Sequence, residues 1–122
     1  MIANWKLWAG GAVMAAGLSL GAAPPSSAQE SSWYCYGAAE IVGSKGLVIT
    51  QVFEWRGAGP APQNAMSQQL QPLTDAEPNG GGLALVSCNR DRAKAERFRS
   101  DRIEGYRRTG RPFTMIYFSF NR

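Results

Sequence analysis

The sequence predicts an α+β fold: about four mainly antiparallel strands packed by one main helix (91–108) and stapled by one disulfide. Three observations carry this. The run from Leu83 to Phe120 reads as strand, helix, strand, with the clearest start and stop signals in the chain. Residues 33–40 and 47–55 are apolar and aromatic runs separated by Gly43-Ser-Lys-Gly46, the pattern of a hairpin. The only two cysteines, Cys35 and Cys88, fall one in each of these units.

The N-terminus is set apart from the fold. Lys6 gives a short positive start, Leu7 to Ala23 is apolar and rich in Gly and Ala, and Ser26-Ser-Ala28 fits a small-x-small cleavage site. The apolar run is short and weakly hydrophobic, a poor membrane span. A Sec-type signal peptide over 1–28 is therefore expected. It would leave 29–122 as a single small domain, periplasmic or secreted by a bacterium, with no transmembrane segment after cleavage. In that oxidising compartment Cys35 and Cys88 are expected to pair. Closing so long a loop stabilises a fold by about 4 kcal/mol on the loop-entropy argument.

Trp33-Tyr-Cys-Tyr36 opens the first strand, which ends near Glu40. Leu47 to Trp55 alternates, with Leu47, Ile49, Phe53 and Trp55 on one face and Val48, Thr50, Val52 and Glu54 on the other; Gln51 interrupts the first set. Residues 57–82 are punctuated by Pro60, Pro62, Pro72 and Pro78 and read as a surface loop, in which 63–70 has the composition for two turns of helix. Gly80-Gly-Gly82 lacks the Lys-Ser/Thr of a phosphate-binding loop and reads as a flexible turn. Leu83 to Cys88 is a compact apolar strand, expected to lie at or near the strand of Cys35. Asn89 or Asp91 caps the following helix, Arg107 and Arg108 suit the negative end of its dipole, and Gly110 and Pro112 end it. Phe113 to Phe120 closes the chain as a strand apolar on both faces.

Ala95, Phe98, Ile103 and Tyr106 share one arc of the helix, which is the arc to be buried. Arg102 falls inside that arc and Arg99 close to it. Either both lay their methylene stems on the sheet and lift the guanidinium to water, or one, Arg102 first, meets a carboxylate such as Glu54 or an anionic partner. Arg92/Glu96, Arg97/Asp101 and Glu104/Arg108 have the i,i+4 spacing of helix ion pairs. One helix does not cover both faces of such a sheet. Either 63–70 helps, or a partly aromatic face stays exposed and marks a partner surface or a homo-oligomer contact.

The chain contains no histidine, which removes Ser-His-Asp and Cys-His catalysis and His-ligated zinc. No catalytic residue, metal site or cofactor is predicted. After residue 28 the chain carries 12 basic and 9 acidic side chains, and 90–111 alone holds nine basic against four acidic, a net of +5. That asymmetry selects Arg99, Arg102, Tyr106, Arg107 and Arg108 as the candidate binding set, with an envelope protein or an anionic polymer as partner. Export argues against nucleic acid.

From Leu83-Ala-Leu-Val-Ser-Cys88 through the Ala/Arg-rich helix to Gly110 and the aromatic strand, the chain resembles the second half of SPOR-type envelope domains. Those are small sheet-and-helix modules that bind peptidoglycan. The likeness is one of topology and carries over no binding residue. The whole chain also resembles small exported bacterial proteins with one disulfide and no assigned activity. The expectation is an exported, non-enzymatic module that binds a protein or an anionic envelope polymer. The alternatives are a small secreted hydrolase or lyase using carboxylate and Tyr chemistry, and an inhibitor of an exported enzyme.

Overall fold

The aromatic and small side chains of Glu30–Glu40 form an 11-residue strand, β1, around which the sheet is built. The structure, a computed structural model, describes residues 30–121; the signal peptide expected over 1–28 lies outside the described residues. After β1 come β2 (Leu47–Thr50), β3 (Phe53–Ala58), α1 (Gln63–Asp75), β4 (Leu83–Asn89), α2 (Arg92–Arg108) and β5 (Phe113–Ile116). Antiparallel β4 runs along one edge of β1, pairing Tyr34 with Asn89 through to Glu40 with Leu83. The other edge of β1 is shared by β3 and by antiparallel β2, and parallel β5 closes the sheet beyond β2. The α+β class and the disulfide are as the sequence predicts.

Two compact units are distinguished in the chain. Of the described residues the smaller holds 30–31 and Gly57–Gly59, where the Ser31 hydroxyl reaches the carbonyl oxygens of Gly57 and Gly59 at 3.5 and 3.4 Å. The larger, Ser32–Arg56 with Pro60–Arg122, carries both cores and both helices.

Side chains alternate along β1, so the two faces receive different sets. Cys35 and Ala39 join Met66 and Leu70 of α1, Ala84 and Val86 of β4, Trp55 and Phe118 in one core. Tyr36 and Ala38 join Leu47, Ile49, Ile103 and Tyr106 in a second core beneath α2. Gly37 falls on the α1 face, and a Cβ there would come within 2.3 Å of Leu70 Cδ2. Glycine is what lets α1 sit this close to the sheet.

Four sequence expectations are corrected. The loop expected over 57–82 contains the 13-residue helix α1, which runs on through Pro72 to Asp75 and is the second covering helix. Pro72 and Gln68, whose carbonyl loses its helical partner, are both exposed, so water can serve that carbonyl. The Gly80–Gly82 turn is packed rather than loose: a Cβ on Gly82 would lie 2.1 Å from Glu40 O. Residues 47–55 form two strands rather than one, and the irregularity at Gln51–Val52 swaps faces. Leu47 and Ile49 face α2, whereas Phe53 and Trp55 face α1, as a one-residue slip requires. The final strand stops at Ile116.

Where the main-chain ladders stop, glutamine amides take over. Gln71 Oε1 accepts from Ala84 N–H (2.8 Å) and its Nε2 donates to Gly82 O (2.9 Å). Ser67 Oγ accepts from Val86 N–H (2.9 Å), so α1 satisfies the outer edge of β4. Gln51 grips Phe118 in the same two-point way, at 2.7 and 3.0 Å, and Gln69 grips Asn121. These bonds hold the C-terminal tail in place without a strand.

Candidate functional site

Helix α2 forms where expected and is well anchored. Asp91 accepts from the amides of Ala93 (2.9 Å) and Lys94 (3.3 Å), and Gly110 takes φ 68° past the end. Two residues separate it from β4, and it touches β4 and β5, the strands that flank β1 and β2, so it crosses the face obliquely. The cross-strand pair Cys35–Cys88, separated by 53 residues, fixes β4 to β1 and with it the direction in which each β4 side chain points.

The residues selected from the sequence do not converge on one surface. Arg99 Nε donates to Thr50 O (2.6 Å) and its Nη2 lies 3.4 Å from Met115 Sδ, toward β5. Arg107 bonds Glu104 (2.7 Å) with its guanidinium 5.7 Å above Phe113. Arg108 is exposed and has no ion pair among the described residues. Tyr106 is buried. Its hydroxyl donates to Glu40 at 2.5 Å, and burial first, then that carboxylate, pushes its pKa above the usual phenol value. Arg102 pairs with Glu40 (3.4 Å) rather than Glu54, which instead holds Arg56 (3.1 Å). Of the three expected i,i+4 pairs only Arg92–Glu96 forms, at 3.7 Å.

The uncovered face is aliphatic, not aromatic. The parity imposed by Cys88 turns Ala84 and Val86 toward α1, and Leu83 and Leu85 toward the α2 side, where they are 71% and 59% exposed beside Val42 at 89%. With Ala38, Glu40 and Arg102 they line a groove of about 340 Å³ between α2 and β4. Its floor is braced: Glu40 is held by Tyr106 from beneath and by Arg102 from the side. Exposed apolar strand residues around a fixed ion pair can take up apolar side chains and orient one polar group.

Sequence reasoning reached Arg102 and Tyr106 but missed Glu40, Leu83 and Leu85. Alternation in Leu83-Ala-Leu-Val-Ser-Cys88, read from the face that Cys88 must present to Cys35, was the available signal for the two leucines.

Two further clefts are less suited. One of about 260 Å³ lies between β3 and the tail, lined by Phe53, Trp55, Tyr117, Phe120 and Glu54. Hydrogen bonds from Ser32 and then Arg56 hold the Glu54 carboxyl below its usual pKa, the opposite of what a general acid needs. Another of about 470 Å³ runs between α2 and β5, where Arg99 and Arg107 are offset by Asp101 and Glu104. Glu40, Tyr106 and Arg102 do bring a carboxylate, a phenol and a cation together. The phenol is buried and already donates to the carboxylate, so the trio reads as a brace. Among the described residues no His/Cys/Asp/Glu cluster could hold a metal, and no helix is long and apolar enough to cross a membrane.

No known family, curated protein or solved structure matches the chain, and the likeness to SPOR-type domains gains no support from those comparisons.

Proposed function

We propose that this domain is a non-enzymatic binding module of an exported, oxidising compartment, and that it takes a protein partner on the part of β4 that α2 leaves bare. The observation that carries this is the exposure of Leu83, Leu85 and Val42 around the Glu40–Arg102 pair. Burying such residues against a partner is favourable by roughly 25 cal/mol per Å² of apolar surface, and the braced pair gives orientation. The disulfide fits the compartment. The anionic-polymer alternative draws less support, since Arg92, Arg102 and Arg107 are paired within the domain and Arg99 bonds a backbone carbonyl.

The test is capture from fractionated envelope material by the oxidised protein, by a Leu83→Glu/Leu85→Glu variant and by an Arg97→Gln/Arg107→Gln/Arg108→Gln variant, at low and high salt. Capture lost in the leucine variant, and only weakened in the arginine variant and by high salt, is expected. Capture that survives the leucine variant and disappears with the arginines would replace this reading with the polymer one.

A further inference from the structure

The uncovered start of β4 has the dimensions of a missing helix. Packed helices lie roughly 8–10 Å apart and strands about 4.8 Å, so one helix covers about two strands, and a face four strands wide takes two helices or their equivalent. On the α1 face the second place is filled by the chain's own tail, through Phe118 and Phe120. On the α2 face no described element takes it, and Leu83 and Leu85 stand open beside the helix.

A partner strand is not what fits there. The outward amides of Ala84 and Val86 are already bonded to Gln71 and Ser67, so the donors that strand addition needs are taken. A partner at this place packs through side chains.

Helix α2 itself carries a second, independent mark. Phe98, Arg102 and Gly105 follow one another at i, i+4 and i+7 and so share one flank of α2, and Arg102 on that flank lines the groove. Gly105 sits in the helix interior, where glycine is the poorest helix former after proline. A Cβ placed on it would meet nothing within 4 Å, so packing inside the domain does not call for a glycine. What glycine provides on a half-buried helix flank with open space before it is close approach by another backbone.

Charge then selects the partner. The 90–111 segment bears nine cations against four anions, and Arg97 and Arg108 have no ion pair among the described residues. A second copy would set this segment against its like.

Resting on the binding-module reading, we propose that an amphipathic helix of a partner protein, apolar on one side and acidic on the other, lies beside α2 over Leu83 and Leu85 and comes closest at Gly105.

The experiment uses the full chain, expressed for export and purified with its disulfide formed. The probes are two synthetic 18-residue helices with the same Leu/Ala face, one bearing Glu and the other Lys on the polar face, followed by fluorescence anisotropy. The Glu helix is expected to bind at least tenfold more tightly than the Lys helix. Leu83→Gln/Leu85→Gln and, separately, Gly105→Gln should each weaken it by tenfold or more. Gly105→Gln should hold or raise the thermal midpoint, which separates lost docking from lost folding. Equal binding of the two helices, or binding indifferent to Gly105→Gln, overturns the proposal. Self-association in sedimentation, or capture by anionic vesicles, that Gly105→Gln abolishes overturns it in favour of a second copy or a membrane surface. If neither helix binds while Leu83→Glu/Leu85→Glu still loses the envelope partner, the helix falls and the binding module stands; if that variant keeps the partner, both fall.

Discussion

On the α1 face Met66, Leu70 and Thr74 are fully buried, the space beyond the helix is filled by Phe118, and glutamine amides satisfy the strand edge and the tail. On the α2 face, Ile103 and Tyr106 are buried just as well over β1 and β2, yet Leu83 and Leu85 on β4 remain in water. The same strand, β4, thus has one face and its outer edge finished and the other face left open. Its open leucines do not reflect a lack of means, since the chain closes comparable gaps elsewhere with a tail and three glutamines. Polar termini of that kind stop main-chain pairing and leave side-chain docking possible.

The largest expected effect bears on the strand common to both faces. Replacing Cys35 and Cys88 together with alanine frees a loop of 53 residues and should cost about 4 kcal/mol of stability. The measurement is the urea midpoint against oxidised wild type. A loss well under half that would mean that α1 and the edge clamps, not the disulfide, fix β4.

Next comes the comparison itself. Leu70→Ala, on the closed face, should cost about 3 kcal/mol because a fully buried leucine leaves a cavity under α1. Leu85→Ala, on the open face, should change stability by less than about 0.5 kcal/mol. Similar losses for the two would show that the open face is covered in solution, and sedimentation would then show by what.

Gln71→Ala tests whether the edge is actively protected. It removes the acceptor for Ala84 N–H and the donor to Gly82 O, and should cost about 1–2 kcal/mol. The freed edge should also aggregate faster, read by light scattering at constant fraction folded. Unchanged aggregation would leave β4 protected by its position alone.

How far the fold could be read follows the strength of local rules. The Asp91 cap, the Gly110–Pro112 stop and the Cys35–Cys88 pair are set by neighbours in sequence or by a single pairing, and all three were legible. Helix α1 was half legible. Its Met66–Leu70–Thr74 face has helical spacing, but Pro72 signals an end that tertiary packing overrides. The face swap at Gln51–Val52 left only one trace in the sequence, a polar residue on an apolar face, while Thr50 Oγ1 accepting from Gly37 N–H (2.9 Å) belongs to tertiary structure. At the site, charge density pointed to the arginines of α2. Ion pairing, stacking on aromatic rings and a bond to a backbone carbonyl engage most of them within the domain, and density alone does not reveal that.

The smallest expected effect concerns the brace beneath the open groove. Tyr106→Phe deletes the hydrogen bond to Glu40 while keeping the ring, and should cost about 1 kcal/mol near neutral pH, since Arg102 still holds the carboxylate. The pH dependence carries the sharper signature. Burial and then Glu40 raise the Tyr106 pKa above its ordinary value near 10, so the folded state holds that proton more tightly than the unfolded one. The linked stability is complete below the unfolded pKa and drains away as pH rises from about 10 through the folded value. Wild type should therefore lose its advantage over Tyr106→Phe across that alkaline window. A stability difference that stays constant there would mean that the phenol ionises as freely in the fold as outside it. Glu40 would then be held by Arg102 alone, and the floor of the open face would be softer than that of the closed one.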